Sequence, residues 1–268
     1  MNKLTYFLLV LCFTCSSLDD NNDNNVSTFI TVTQDLSVVN IDQIISITVT
    51  SNETINSIDY SLDGGTTFIG EVSNSTFGNN VKLYLDFDTV GTKNIVFRVK
   101  NNEGAIVDKA ISVNVERGNA IQIQNLKLNS FYDMGNTWDA EFSDTNPNRL
   151  ADVYFVILKP PLNIFNGTRG TIPAGSWLWF RSQTRDNESN LNWDLQNEDL
   201  YINIEQLTPY IAFIDDDGDP VLAGLGDLML GPPFERVIPI ADYINTKPNT
   251  IVAEEPNINL EYELTLDW

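Results

Sequence analysis

A chain of 268 residues with 37 acidic side chains against 15 basic ones carries a net charge of −22. That charge argues against nucleic acid, or an anionic membrane surface, as an electrostatic partner. The chain also contains no histidine, which removes a Ser-His-Asp triad and histidine-bound zinc and makes carboxylates or lysine the expected groups for any catalysis.

The first fifteen residues have the pattern of an export signal, with Lys3, an apolar run from Leu4 to Phe13, and Cys15. Such a run forms about 15 Å of helix, half of the roughly 30 Å needed to cross a bilayer. The segment resembles a bacterial lipoprotein signal, in which a cysteine is lipidated and becomes the first residue of the mature chain. The resemblance implies lipidation of Cys15, because Cys12 lies inside the apolar run whereas Cys15 ends it.

This interpretation makes residues 1–14 a signal peptide and residues 15–27, which are rich in Asn, Asp and Ser, a flexible tether. The protein would then be lipid-anchored to the outer membrane of a cell envelope, periplasmic or surface-exposed. Its mature chain would have no free thiol, and so no disulfide or thiolate metal site. An ordinary secretory peptide or a cytosolic start is the alternative, since Cys12 and Phe13 differ from the usual lipobox residues.

Residues 28–117 contain short runs rich in Val, Ile, Thr and aromatic residues, separated by turn sequences such as Asp63-Gly64-Gly65. In the run Ile95–Lys100 the apolar residues alternate with Arg98 and Lys100, which predicts a strand with one buried face. The spacing predicts an antiparallel β-sandwich. The segments Gly91–Lys100, Glu103–Ala105 and Ile111–Val115 resemble the last two strands of PKD-type and related immunoglobulin-like domains. Such domains mostly act as spacers or interaction modules.

Glu116–Ala120 is the predicted boundary, and residues 119–268 again have an all-β pattern. The run Ile121–Leu128 alternates strictly between apolar and polar residues. The fold class expected for the whole chain is therefore all-β, with two antiparallel β-sandwich domains. Further β-like runs are found in the second domain at Val153–Leu158, Ser176–Phe180, Leu200–Ile204, Tyr210–Ile214 and Leu260–Leu266.

Acidic loops follow or precede several of these runs, and they resemble the calcium-binding loops of C2-type β-sandwiches. The resemblance rests on the strand Asn125–Leu128, on Asp152-Val153-Tyr154 where C2 domains show Asp-Pro-Tyr, and on Ile214–Asp217 with a later Asp227 and Gly231. It implies that Asp152, Asp215, Asp217 and Asp227 bind calcium, with Asp133 or Asp139 completing the site. Asp219 belongs to the same acidic run and is a further candidate.

Calcium fits the composition, because it takes six to eight oxygen ligands and needs neither sulfur nor imidazole. An EF-hand is excluded: counting Asp215 as position one, Pro220 occupies the glycine position and Gly226 the final acidic position. The alternative is a solvated acidic turn shaped by its Asp-Gly pairs.

Trp177 and Trp179 alternate and are therefore expected to share a face, where they would provide a stacking platform for a glycan. Aromatic residues in a β-sandwich are more often part of the core. The function expected is a non-catalytic, lipid-anchored envelope protein that binds calcium or a protein partner through its acidic loops and mediates adhesion. A carbohydrate-binding lipoprotein for glycan uptake is the second hypothesis, and an enzyme using carboxylates is the third.

Overall fold

The computed structural model describes residues 28–73, 77–162, 177–216, 229–230 and 233–268. Four of the predicted site residues lie outside these ranges, and they are Cys15, Asp217, Asp219 and Asp227. Among the described residues, no helix is both long and apolar enough to cross a bilayer.

The first half of the described chain forms two sheets, which together we call the N-terminal sandwich. One sheet has the order β1-β3-β6, and its strands are β1 (Ile30–Gln34), β3 (Ile45–Ser51) and β6 (Asn80–Leu85). The other has the order β2-β8-β7-β4-β5, and its strands are β2 (Val38–Asn40), β4 (Ile55–Ser61), β5 (Ile69–Ser73), β7 (Gly91–Asn101) and β8 (Ile106–Glu116). The pairs are antiparallel except for β2 with β8.

Side chains from both of these sheets form one buried cluster. Strand β7 follows the predicted alternation: Ile95, Phe97 and Val99 are buried, whereas Arg98 and Lys100 lie on the opposite face. Burial of apolar area on one face of each sheet stabilises the pair, at about 25 cal/mol for each Å² removed from water. The two-residue period of a strand thus places the core between the sheets.

The second half forms two more sheets, the C-terminal sandwich. The first contains β9 (Ile121–Ser130), β12 (Asn192–Asp194), β13 (Tyr201–Ile202), β16 (Thr250–Glu255) and β17 (Leu260–Asp267). The second has the order β11-β10-β14-β15, and its strands are β10 (Val153–Leu158), β11 (Leu178–Arg181), β14 (Tyr210–Asp215) and β15 (Arg236–Val237). Short 3₁₀ turns occupy Pro147–Arg149, Asp186–Glu188, Pro239–Tyr243 and Pro256–Ile258.

Strand β10 is buried on both faces, which explains why its sequence is continuously apolar rather than alternating. Val153, Phe155 and Ile157 contribute to the core between the two sheets. Tyr154 and Val156 point the other way and join a separate cluster on the outer face. The all-β architecture and the β-sandwich arrangement expected from the sequence are confirmed.

Candidate functional site

Two of the predicted calcium ligands meet at one end of the C-terminal sandwich. Strand β10 begins at Val153 and pairs antiparallel with β14, so that Val153 lies opposite Asp215. Asp152 therefore lies beside the end of β14. Its backbone N–H donates to Asp215 Oδ1 at 2.7 Å, and its carbonyl accepts from the N–H of Asp216 at 2.8 Å. We call this edge, formed by Asp152, Asp215 and Asp216, the acidic end.

The carboxylates of the acidic end connect neighbouring loops to the strands through hydrogen bonds. Asp215 is only 1% exposed, and its Oδ1 accepts the Asp152 N–H. Asp152 Oδ1 accepts from the N–H of Asn187 at 2.7 Å. Asp216 Oδ2 accepts from the Arg181 guanidinium at 2.9 Å and from the Thr184 hydroxyl at 2.7 Å. These contacts give the acids a structural role in holding the loops together.

The loop after β9, which contains the predicted calcium ligands Asp133 and Asp139, is attached to the acidic end through Glu188. The Glu188 carboxylate accepts from the N–H of Gly135 at 3.0 Å, while its own N–H donates to the carbonyl of Ala151. Burial raises the pKa of the Glu188 carboxyl above its ordinary value. The loop after β9 and the segment before β10 are therefore both bonded to one residue, the former through its side chain and the latter through its backbone.

Asp133 and Asp139 make contacts within their own loop. Asp133 has a left-handed backbone, with φ of 56°, and its Oδ1 accepts from the Asn136 side-chain amide at 3.2 Å. The N–H of Asp139 donates to the carbonyl of Arg149 at 3.3 Å. Within the ranges that the structure describes, no three carboxylates converge in a way that would hold a metal ion.

Trp177 and Trp179 do not share a face, so the expected platform is wrong in this respect. Leu178 and Phe180 pair with consecutive residues of β10, which makes Trp179 the extra residue of a β-bulge. Trp177 packs against the outer cluster, with its ring centroid 5.9 Å from that of Tyr210, whereas Trp179 packs against the core between the sheets. The bulge interrupts the two-residue period on which the expectation rested.

A second polar site, which the sequence patterns did not indicate, lies where the two sandwiches meet. Asp42 of the N-terminal sandwich is 2% exposed and Lys159 of the C-terminal sandwich is 8% exposed. Lys159 Nζ lies 3.1 Å from Asp42 Oδ1 and also donates to the carbonyl of Tyr201 at 2.9 Å. A lysine directly after the buried strand β10 is the one signal by which the sequence could have indicated this pair, because buried lysine requires a partner.

Asn203 and Trp179 add further bonds between the sandwiches. The Asn203 N–H donates to Asp42 Oδ2 at 2.9 Å, and its side-chain amide donates to the carbonyl of Ile41 at 3.2 Å. Trp179 Nε1 donates to Asp88 Oδ2 at 2.9 Å. We call the group of Asp42, Asp88, Lys159, Trp179 and Asn203 the junction.

The Lys159 ammonium is held from several sides. It lies 3.8 Å from the ring centroid of Trp179, within the range of a cation–π interaction. Burial lowers the pKa of Lys159 below its ordinary value, while the nearby carboxylate of Asp42 acts in the opposite direction. A cavity of about 290 Å³ opens beside the pair, and Tyr60, Phe87 and Pro160 are part of its wall.

The segment between the sandwiches is bonded to the C-terminal sandwich through Arg117 and lies close to the N-terminal sandwich at Gly118. The Arg117 guanidinium donates to the carboxylate of Asp267 at 2.6 Å and to its backbone carbonyl. Gly118 has a φ of 58°, and a Cβ there would overlap the Asn40 side chain. Glycine is therefore required by both the backbone conformation and the close approach.

Comparison with known proteins finds similarity only to solved structures. No family model matches the chain, and no curated protein matches it. The sulfur carrier protein SoxY from Chlorobium limicola f thiosulfatophilum is 14% identical, with a TM-score of 0.26, covering 32% of this chain and 78% of its own. The fibronectin(III)-like modules of Clostridium thermocellum CbhA are 18% identical, with a TM-score of 0.25, covering 32% and 97%.

Proposed function

We propose that the chain is a non-catalytic, lipid-anchored protein of the cell envelope that presents its acidic end away from the membrane. One observation carries the proposal: the described chain enters the N-terminal sandwich at one end, and the C-terminal sandwich is attached at the other. The lipid would be on Cys15, in the outer membrane, with residues 15–27 as the tether.

Strand directions define the two ends of the N-terminal sandwich. Ile30 at the start of β1 pairs with Ser51 at the end of β3. The N–H of Phe29 donates to the Asn52 side chain at 2.9 Å, so the chain enters at the end where β3 finishes. Strand β3 starts near the opposite end, where Asp42 contacts Lys159. The tether and the junction are thus on opposite ends of this sandwich.

Strand directions also place the acidic end. Strand β10 begins beside Asp152 and finishes at Leu158, immediately before the junction residue Lys159. Its neighbour β14 starts at Tyr210, opposite Leu158, and finishes at Asp215. The acidic end consequently lies at the end of the C-terminal sandwich that is farther from the N-terminal sandwich.

The N-terminal sandwich has the dimensions of a spacer. Its longest strands, β7 and β8, contain 11 residues each. At roughly 3.3 Å per residue such a strand is about 35 Å long. In a chain that stands upright on the bilayer, a lipid at the tether would therefore separate the C-terminal sandwich from the membrane surface by about this length. This arrangement supports the proposal that the N-terminal sandwich is a spacer that displays the C-terminal sandwich.

We further propose that the acidic end binds calcium and, through it, a protein partner in adhesion. Asp152 and Asp215 are adjacent there, and the chain continues from Asp215 and Asp216 directly into the acidic residues Asp217 and Asp219. Carboxylates that converge repel one another, and a divalent cation would relieve that repulsion. An extracellular calcium module typically binds at about 10⁻⁴–10⁻³ M, a range that the envelope exterior can supply.

The anchor is tested by metabolic labelling with a clickable fatty acid, followed by membrane fractionation. We expect the wild-type chain and Cys12→Ser to be labelled and membrane-bound, whereas Cys15→Ser is neither. Equal labelling of Cys15→Ser would contradict the anchor. Since Cys12 is the other cysteine of the chain, Cys12→Ser is the matched control.

A further inference from the structure

We propose that the junction is a lock that holds the two sandwiches in one fixed orientation, and that the Lys159–Asp42 pair is its determining contact. The lock would act whatever the acidic end binds and whether or not Cys15 is lipidated. It would turn the chain from two domains on a flexible hinge into one rigid arm.

Donors and acceptors at the junction are divided between the two sandwiches. The C-terminal sandwich supplies the donors, which are the Lys159 ammonium, the Asn203 amides and the Trp179 indole. The N-terminal sandwich supplies the acceptors, which are the carboxylates of Asp42 and Asp88 and a backbone carbonyl. A rotation of one sandwich against the other would break these bonds together, so their loss is cooperative.

Burial of the Lys159–Asp42 pair favours one orientation of the two sandwiches over the others. Lys159 and Asp42 are almost fully removed from water, and a charge of this kind is costly to leave without its partner. An orientation that separates the two charges without letting water reach them would therefore be strongly disfavoured. Replacing a buried ion pair with apolar groups is often neutral for stability, so the pair's main contribution is to orientation.

The backbone of the N-terminal sandwich presents Asp42 in a fixed position. Asp42 has a left-handed backbone, with φ of 59°, and its N–H donates to the carbonyl of Phe87 at 2.9 Å. The turn is closed by Gln43, whose N–H donates to the carbonyl of Asn40 at 3.0 Å. Because this turn is held by its own hydrogen bonds, the carboxylate is already placed to receive Lys159.

The connecting segment adds a second attachment away from the ion pair. Strand β8 ends at Glu116 and β9 begins at Ile121, so few residues connect the sandwiches. Within this segment the N–H of Ala120 donates to the carbonyl of Arg117 at 3.1 Å, and the Arg117 guanidinium is bonded to Asp267. This second attachment restricts rotations that would otherwise pivot on the ion pair alone.

The lock is tested by measuring the distance between two spin labels, one on each sandwich, by double electron–electron resonance. The full chain carries Cys12→Ser and Cys15→Ser, with labels on Lys100→Cys in β7 and Thr250→Cys in β16, both exposed strand positions. The wild-type junction should give one narrow distance distribution. Lys159→Met should broaden it at least twofold. The matched control, Lys127→Met, removes an exposed lysine that pairs with Glu263 and should leave the width unchanged.

Two results would overturn the lock: a broad distribution in the wild-type junction, or an unchanged narrow one in Lys159→Met. If Lys159→Met fails to fold, the double variant Lys159→Met with Asp42→Asn leaves no charge behind, and Asn tolerates the left-handed backbone. The double variant should fold and show the same broadening. Neither calcium nor lipid enters this measurement, so its failure would leave the proposed function standing.

Discussion

The Lys159 ammonium and the Asp42 carboxylate lie 3.1 Å apart although they belong to different sandwiches. Each is almost fully buried, and each has further hydrogen bonds to the opposite sandwich or within its own. The contact therefore joins the two sandwiches, and its loss should affect the stability of the whole chain.

Removing one partner of the pair should destabilise the protein strongly. Lys159→Met leaves the Asp42 carboxylate buried without its cation, which costs about 3–5 kcal/mol in the free energy of unfolding. Lys127→Met, which breaks an exposed pair with Glu263, should cost less than about 1 kcal/mol. Urea unfolding curves of both variants measure the difference.

The double variant Lys159→Met with Asp42→Asn should recover much of that loss, because no buried charge remains without a partner. The coupling energy between Lys159 and Asp42, measured in a double-mutant cycle, should therefore differ clearly from zero. Simple additivity of the two single changes would contradict the ion pair as an energetic unit.

Gly118→Ala should destabilise the segment between the sandwiches. The substitution combines a left-handed backbone with a Cβ that would overlap the Asn40 side chain, and we expect a loss of about 1–3 kcal/mol in the free energy of unfolding. Gly78→Ala is the matched control, because Gly78 has a similar φ of 63° but no neighbour within 4 Å of its added Cβ. Equal losses from the two variants, measured by thermal unfolding, would mean that the contact with Asn40 contributes nothing.

The turn after β4 should weaken in acid. Hydrogen bonds from Ser61 and Thr67 hold the pKa of the Asp63 carboxyl well below its usual range. A carboxyl whose folded pKa is depressed stabilises the fold above its unfolded pKa of about 3.9, and loses that contribution as the pH falls further. Asp63→Asn should therefore lower the melting temperature at pH 7, and the gap to the wild type should narrow at pH 3.

Glu103→Gln is the control for Asp63→Asn, since Glu103 is exposed at the end of the N-terminal sandwich where the tether enters. Its melting curve should follow the wild type at both pH values. A constant gap between Asp63→Asn and the wild type from pH 7 to pH 3 would count against the titration of Asp63.

Calcium should stabilise the C-terminal sandwich. At 10 mM Ca²⁺ and a dissociation constant of about 10⁻⁴–10⁻³ M, binding adds about 1.4–2.7 kcal/mol, which raises the melting temperature by roughly 3–10 °C. Asp217→Asn with Asp227→Asn should abolish the rise. These two positions are chosen over Asp215, whose carboxylate already accepts the Asp152 N–H.

The matched control for calcium is Glu103→Gln with Glu254→Gln, which removes the same charge from exposed positions elsewhere. It should retain the full calcium-dependent rise. If the wild type shows no rise at all, the calcium proposal fails. If the control variant loses the rise equally, the effect reflects net charge and no specific site.

Alternating apolar residues were sufficient to predict β7, and a continuous apolar run was sufficient to predict β10, because β7 buries one face and β10 buries both. Strand β16 was not predicted. It lies at the edge of its sheet, and half of its side chains are polar. The bulge at Trp179 was not predicted either, because an extra residue changes the strand register without changing the amino-acid composition.

For the candidate sites, the resemblance to C2 loops implied that Asp152 and Asp215 lie together, and the two residues are adjacent in the structure. The junction could not be predicted in the same way. Asp42 and Lys159 are brought together by how two separately patterned sandwiches pack, and no local pattern records which surface of one meets the other.

The position of the acidic end relative to the membrane is the most direct test of the central claim. Lipidated chain is bound to vesicles that contain an acceptor lipid, and a donor dye is attached at Asn102→Cys or at Glu141→Cys. Asn102 lies at the end of the N-terminal sandwich where the tether enters, and Glu141 lies in the loop between β9 and β10. We predict strong energy transfer from Asn102 and weak transfer from Glu141. Equal transfer from both positions, or no binding to vesicles, would contradict a lipid-anchored arm that presents its acidic end away from the membrane.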